Sequence, residues 1–120
     1  MKITQHTVGD VTVLSPSGRI ITEDGDALRN VVDTLVQQGR IKIVLDLREV
    51  TYIDSSGLGL MVSKYVSARR RGGDVKLLHP TARSLHLLEI THLAQVFEVY
   101  ESEEDAVRAF GSSSLHAHPA

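Results

Sequence analysis

Short β-branched runs alternate along this chain with stretches of helical periodicity, a pattern that predicts an α/β domain. Lys2 to Val8 and Val11 to Leu14 read as two strands joined through Gly9-Asp10, which predicts a tight antiparallel hairpin. After Pro16 and Gly18 comes a third short apolar piece, Arg19-Ile20-Ile21, and then an acidic cap region. Leu28, Val31, Val32 and Leu35 recur at helical spacing until Gly39 stops the helix. Ile41 to Leu47 is dense in aliphatic residues, with Lys42 and Asp46 near its ends. It is expected to be a central strand covered on both faces and pointing directly at the serines that follow.

A second helix is predicted from near Ser56, carrying Leu58, Met61, Val62, Tyr65 and Arg69 at steps of three and four. Arg69-Arg70-Arg71 suits its last turn by complementing the helix dipole, and Gly72-Gly73 suits a left-handed exit. Val75 to Leu78 reads as another strand. Thr81-Ala82-Arg83-Ser84 then opens a short helix after Pro80, with Leu85, Leu88 and Ile90 expected inward. Val96 to Tyr100 is expected to return to the sheet. Ser102-Glu103-Glu104-Asp105 resembles a capping box ahead of Ala106, Val107 and Phe110. Residues 1–110 are thus expected to form one domain, and 111–120, small and polar, a flexible C-terminal tail.

Composition narrows the function classes. At 120 residues and 42% hydrophobic content, the chain can fill one core. A formal charge of −2 provides no broad electropositive field, so direct nucleic-acid binding is not expected. The absence of cysteine rules out disulfides and thiolate zinc sites and makes the cytoplasm the default location. The first residues, Met1-Lys2-Ile3-Thr4-Gln5-His6, lack an apolar signal core, and no apolar run approaches the ~20 residues of a spanning helix. No membrane insertion is expected. His116 and His118 form too sparse a ligand set for a metal, and no cofactor is expected.

The chemistry concentrates between Val44 and Gly59, where Asp54-Ser55-Ser56-Gly57-Leu58-Gly59 marks the junction of a strand with a helix. A helix N-terminus presents unpaired N–H groups and roughly half a positive charge, so a serine hydroxyl there can serve as a cap. A hydroxyl ending a rigid strand beside two glycines is equally open to another protein's active site. Position alone leaves capping and modification both open. A hydrolase elbow needs glycine two residues before its serine, where Ile53 or Asp54 stands. None of His6, His79, His86, His92, His116 or His118 is placed at the corner by sequence as a base. Gly57-Leu58-Gly59 also lacks the third glycine of a dinucleotide loop and the Gly-Lys-Ser/Thr of a phosphate loop. The expectation is binding, with no enzymatic activity.

These residues carry a family resemblance. Asp46-Leu47, Val50, Ile53 through Gly59, Gly72-Gly73 before Val75-Lys76-Leu77, and the Val96-Phe97 region resemble a bacterial anti-sigma factor antagonist of the STAS domain class. The likeness runs from about Ile3 to Phe110, and the Asp-Ser-Ser-Gly-Leu-Gly string is its specific part. It implies an α/β fold with a mixed four-to-five-stranded sheet and about four helices packed mainly on one side. It also implies a partner switch. Ser55 would be phosphorylated by an anti-sigma factor that is itself a serine kinase. The unphosphorylated protein would bind that factor and free a sigma factor; the phosphorylated protein would let go until a phosphatase acting on phospho-Ser55 restored it. Asp54, Ser56, Gly57, Leu58 and Gly59 would form the docking surface. One departure from the pattern lies after Gly18-Arg19-Ile20, where Ile21-Thr22 displaces the acidic Glu23 and Asp24 onward. The same class includes scaffold and transporter-accessory proteins that bind without a phospho-switch, the alternative reading of this chain.

Overall fold

Gly9, at φ +62°, is the first of the two loop residues joining β1 (Lys2–Val8) to β2 (Val11–Ile20), the place where a type II′ hairpin takes glycine. The computed structural model describes residues 1–22 and 25–116, the side chains of 112–116 excepted. After β2 come α1 (Gly25–Gln37), β3 (Lys42–Asp46), β4 (Val50–Ile53), α2 (Ser55–Arg70), β5 (Asp74–Leu78) and α3 (Ala82–Ile90). A 3₁₀ turn (Leu93–Gln95), β6 (Val99–Tyr100) and α4 (Glu103–His116) complete the order.

The α/β architecture is as expected, with six strands among the described residues in place of four to five. The strand order is β1-β2-β3-β5-β6, antiparallel between β1 and β2 and parallel elsewhere, with β4 pairing β2 off that path. Alternation along the strands divides the apolar residues between two faces. Leu14, Ile43, Leu45, Val75 and Leu77 pack with α1, α2 and α3, whereas Val11, Val13, Val44 and Leu78 pack beneath Ala106 and Phe110 of α4. Three helices therefore share one side and α4 covers the other.

Several sequence expectations are corrected by pairing. β2 does not stop at Leu14 but continues through Pro16 to Ile20, absorbing the separate short piece expected at Arg19-Ile20-Ile21. Its Val11–Leu14 half pairs with β3 and its Gly18–Ile20 end with β4, while Ser15–Ser17 pair only with β1. Pro16 thus falls where one side of the strand has no ladder to supply. Gly18, at φ +103°, sits at the register shift where β2 passes from one partner to the other.

The strand expected over Ile41 to Leu47 does not itself deliver the serines. The Asp46 carboxylate accepts the Arg48 N–H at 3.1 Å, and Val50 N–H bonds to Leu47 O at 3.0 Å. This turn ends β3 and restarts the chain as β4, which carries it to Ser55.

Further corrections concern the second half of the chain. Leu60 of α2 is buried alongside Leu58, Met61 and Ala68, outside the expected stripe. On α3, Ser84 and Leu88 face the core, but Ile90 is 59% exposed, because two residues beyond Leu88 is roughly the opposite side of a helix. β6 comprises only Val99 and Tyr100, not Val96 to Tyr100; Phe97 leaves the sheet to pack edge-on against Tyr65, with ring centroids 5.1 Å apart. Ser102 Oγ accepts the Asp105 N–H at 3.0 Å, as the capping reading requires. The helix it starts does not end at Phe110 but runs to His116, since a nucleated helix adds one bond per residue until something stops it. Of the expected tail, residues 117–120 lie outside the described residues.

The predicted exit from α2 holds: Gly73 N–H reaches Ala68 O at 2.8 Å and Gly72 N–H reaches Arg69 O at 3.1 Å, with Gly72 at φ +88°. That is the Schellman pattern. Among the described residues, no helix is long and apolar enough to cross a membrane.

Candidate functional site

The Asp54–Gly59 corner is held by the end of β2. Ile20 pairs with Ile53, and Asp54 N–H bonds to Ile20 O at 3.3 Å. A Cβ on Gly57 would lie 2.0 Å from that same Ile20 oxygen, so the first turn of α2 approaches β2 as closely as backbone allows. Glycine is required there to let the helix settle.

The cap of α2 is Asp54. It is extended, at φ −95° and ψ −178°, and its carboxylate accepts the Gly57 N–H at 2.7 Å, while its carbonyl receives the Leu58 N–H at 2.9 Å. Ser55 and Ser56 are therefore the first two helical residues, both exposed. Among the described residues the Ser55 hydroxyl has no hydrogen-bond partner, and no histidine bonds to it. The serine-cap reading is replaced by an aspartate cap, in keeping with aspartate's place among the strongest N-cap residues.

The six residues of the corner separate by exposure. Ser55, Ser56 and Gly59 face solvent, and a Cβ on Gly59 would meet nothing within 4 Å. Asp54 is half-buried. Gly57 and Leu58 turn inward, Leu58 joining the main core with Ile20 and Ile53. Their contribution is to position the exposed residues. Glu23 and Asp24, the displaced acidic pair, lie outside the described residues.

A second polar cluster, not anticipated from sequence, lies under α4. Lys76 is 1% exposed, with Nζ 2.7 Å from Glu98 and 3.0 Å from Asp74, and 4.7 Å from the centre of the Phe110 ring. Tyr100 donates its hydroxyl to Glu98 at 2.6 Å. The bonds from Lys76 and then Tyr100 hold the Glu98 carboxyl below its ordinary range. Burial first, then the bond to Glu98, pushes the Tyr100 phenol up to about 12. This cluster ties β5, β6 and α4 together. Among the described residues, no group of three or more His, Cys, Asp or Glu side chains is arranged to hold a metal ion.

Known proteins resemble this chain in both sequence and fold. The model of the STAS domain matches residues 2–106. The TM1081 homolog of Thermotoga neapolitana is 32% identical over 101 residues, 83% of this chain and 89% of that relative. The anti-sigma-B factor antagonist of Bacillus subtilis is 29% identical over 92 residues, 77% of this chain and 84% of that relative. The crystal structure of TM1081 from Thermotoga maritima superposes with a TM-score of 0.84 at 28% identity, covering 89% of this chain and 92% of that one.

Proposed function

The chain belongs to the STAS domain family, and from that membership we propose that it is an anti-sigma factor antagonist switched by phosphorylation of Ser55. The observation that carries this reading is the exposed, unbonded Ser55 hydroxyl in the first turn of α2, released from capping by Asp54. Relatives that bear the name of anti-sigma factor antagonists supply the partner class.

The protein acts by binding, and the chemistry belongs to its partner. An anti-sigma factor with serine kinase activity presents ATP to Ser55. The Ser55 Oγ forms a bond to the γ-phosphorus as the bond to the β-phosphate oxygen breaks; ADP leaves, and the hydroxyl proton passes to a base of the kinase. A phosphatase later hydrolyses the phosphoserine and resets the cycle. The exchange takes place in the cytoplasm, without direct contact to nucleic acid.

One phosphate is enough to break the complex. It adds about −1.5 to −2 charges to the exposed surface beside Asp54, where an interface must exclude water. A hundredfold loss of affinity requires only about 2.8 kcal/mol. The fold tolerates the same charge because the N-terminus of α2 favours it.

The test is incubation with candidate serine kinases of the same genome and ATP, followed by mass spectrometry. Phosphate on Ser55, and its absence from a Ser55→Ala variant, is expected. Modification confined to another residue, or absent with every candidate kinase, overturns the reading.

A further inference from the structure

Beside the Ser55 corner, β4 and α3 enclose a groove of about 260 Å³ lined by Tyr52, Ile53, Arg83, Ser84, His86, Leu87 and Ile90. Four of the five α3 residues, Arg83, His86, Leu87 and Ile90, fall at i, i+3, i+4 and i+7, so one helix face supplies most of that wall, with the buried Ser84 at its base. Tyr52 is 44% exposed and Ile90 59% exposed. A lone exposed apolar side chain is ordinary; two lining one groove form a patch. Arg83 and His86 are exposed along it, and no acidic side chain lines it among the described residues.

The corner itself has little to bind with. Its exposed residues, Ser55, Ser56 and Gly59, are small, and its one large apolar side chain, Leu58, is in the core. Interfaces draw most of their energy from aromatic, large apolar and arginine side chains set in pockets. The groove offers that set immediately beside the corner: Tyr52 and Ile53 are the two residues before Asp54, and the Tyr52 and Ser55 Cα atoms can be no more than about 11 Å apart.

We propose that this groove docks the anti-sigma factor kinase through a segment of that partner bearing a large apolar side chain flanked by carboxylates. The apolar side chain seats between Tyr52 and Ile90, and the carboxylates meet Arg83 and His86. This rests on the reading of Ser55 as phosphoacceptor and extends it. The groove supplies affinity and aims the hydroxyl, while Ser55 supplies the switch.

The probe is the purified kinase that modifies Ser55, measured against wild-type protein, Tyr52→Ala, Ile90→Ala and Arg83→Glu. Val8→Ala is the control: Val8 is exposed near the opposite end of β2, about 30 Å away along the strand. Tyr52→Ala and Ile90→Ala should each raise Kd at least tenfold and raise KM for phosphorylation with kcat unchanged. Arg83→Glu should weaken binding and flatten its salt dependence, and Val8→Ala should stay within twofold. Both groove side chains are substantially exposed, so melting curves should be unchanged. Groove variants that bind within twofold of wild type, while Ser55 is still phosphorylated, overturn the docking site and leave the switch standing. Phosphate on a residue other than Ser55, or no kinase that modifies the chain, overturns both.

Discussion

The Asp54 carboxylate accepts the Gly57 N–H at 2.7 Å, and this bond takes over the capping role that either adjacent serine could have filled. It leaves the Ser55 hydroxyl exposed on a backbone fixed from both sides, by β4 before it and by the close approach of Gly57 to Ile20 after it. A rigid frame around an unspent hydroxyl suits a group modified by an external enzyme.

Removing the cap should cost stability without touching the serine. Asp54→Ala is expected to lose about 1 kcal/mol, while Asp54→Asn, which keeps an oxygen acceptor, should remain close to wild type. Urea denaturation of the three proteins checks this.

The two glycines of the corner should respond in opposite directions. Gly57→Ala forces a methyl against the Ile20 carbonyl, where backbone lies on both sides, and should cost at least about 2 kcal/mol. Gly59→Ala meets open space within α2 and should stabilise the fold by up to about 1 kcal/mol. If Gly59 faces the partner, that same methyl weakens kinase binding; denaturation and titration on one preparation separate the two effects.

Phosphorylation should leave the fold intact while it weakens binding. A phosphate in the first turn of α2 interacts favourably with the helix N-terminus by about 0.3 to 1 kcal/mol, so Tm should hold or rise slightly. Partner affinity should fall about a hundredfold, equivalent to about 2.8 kcal/mol. Calorimetry and binding titration of the phosphorylated and unphosphorylated forms test the pair of outcomes together.

The Lys76 cluster should shape both limbs of the pH–stability profile. Tyr100 is raised to about 12 in the folded state from an ordinary value of 10.0, so its contribution is complete below pH 10 and is lost as pH climbs toward 12. Glu98 is lowered from 4.5, so its contribution is present above that value and disappears as pH falls through the folded pKa. Tyr100→Phe should flatten the alkaline loss, and Glu98→Gln should flatten the acid loss. Denaturation measured from pH 3 to 12 reads both, as pH-dependent differences from wild type.

Much of the architecture was legible because it is written in local patterns. The period of Leu28, Val32 and Leu35 marked α1, the aliphatic run from Ile43 to Leu45 marked a central strand, and Gly72-Gly73 marked the end of α2. The Asp54–Gly59 string marks the corner in the sequence itself, because helix-start chemistry and small residues are local signals.

What the sequence could not decide depended on partners far along the chain. Pro16 reads as a strand breaker until β3 and β4 are seen to share one edge of β2 with a gap beside it. Nothing local marks Lys76 as buried, since Asp74, Glu98 and Phe110 close around it only in the fold, and Ile90 reads as core until the rotation of α3 is fixed. The sequence alone located the helices and the central strand and placed Ser55 at a strand-to-helix junction, because periodicity and capping act over a few residues. Only the tertiary structure decided that Asp54, not a serine, caps α2, that Leu58 turns inward, and that Tyr52 and Ile90 line one groove. Burial and hydrogen bonding between distant segments are settled only when those segments meet.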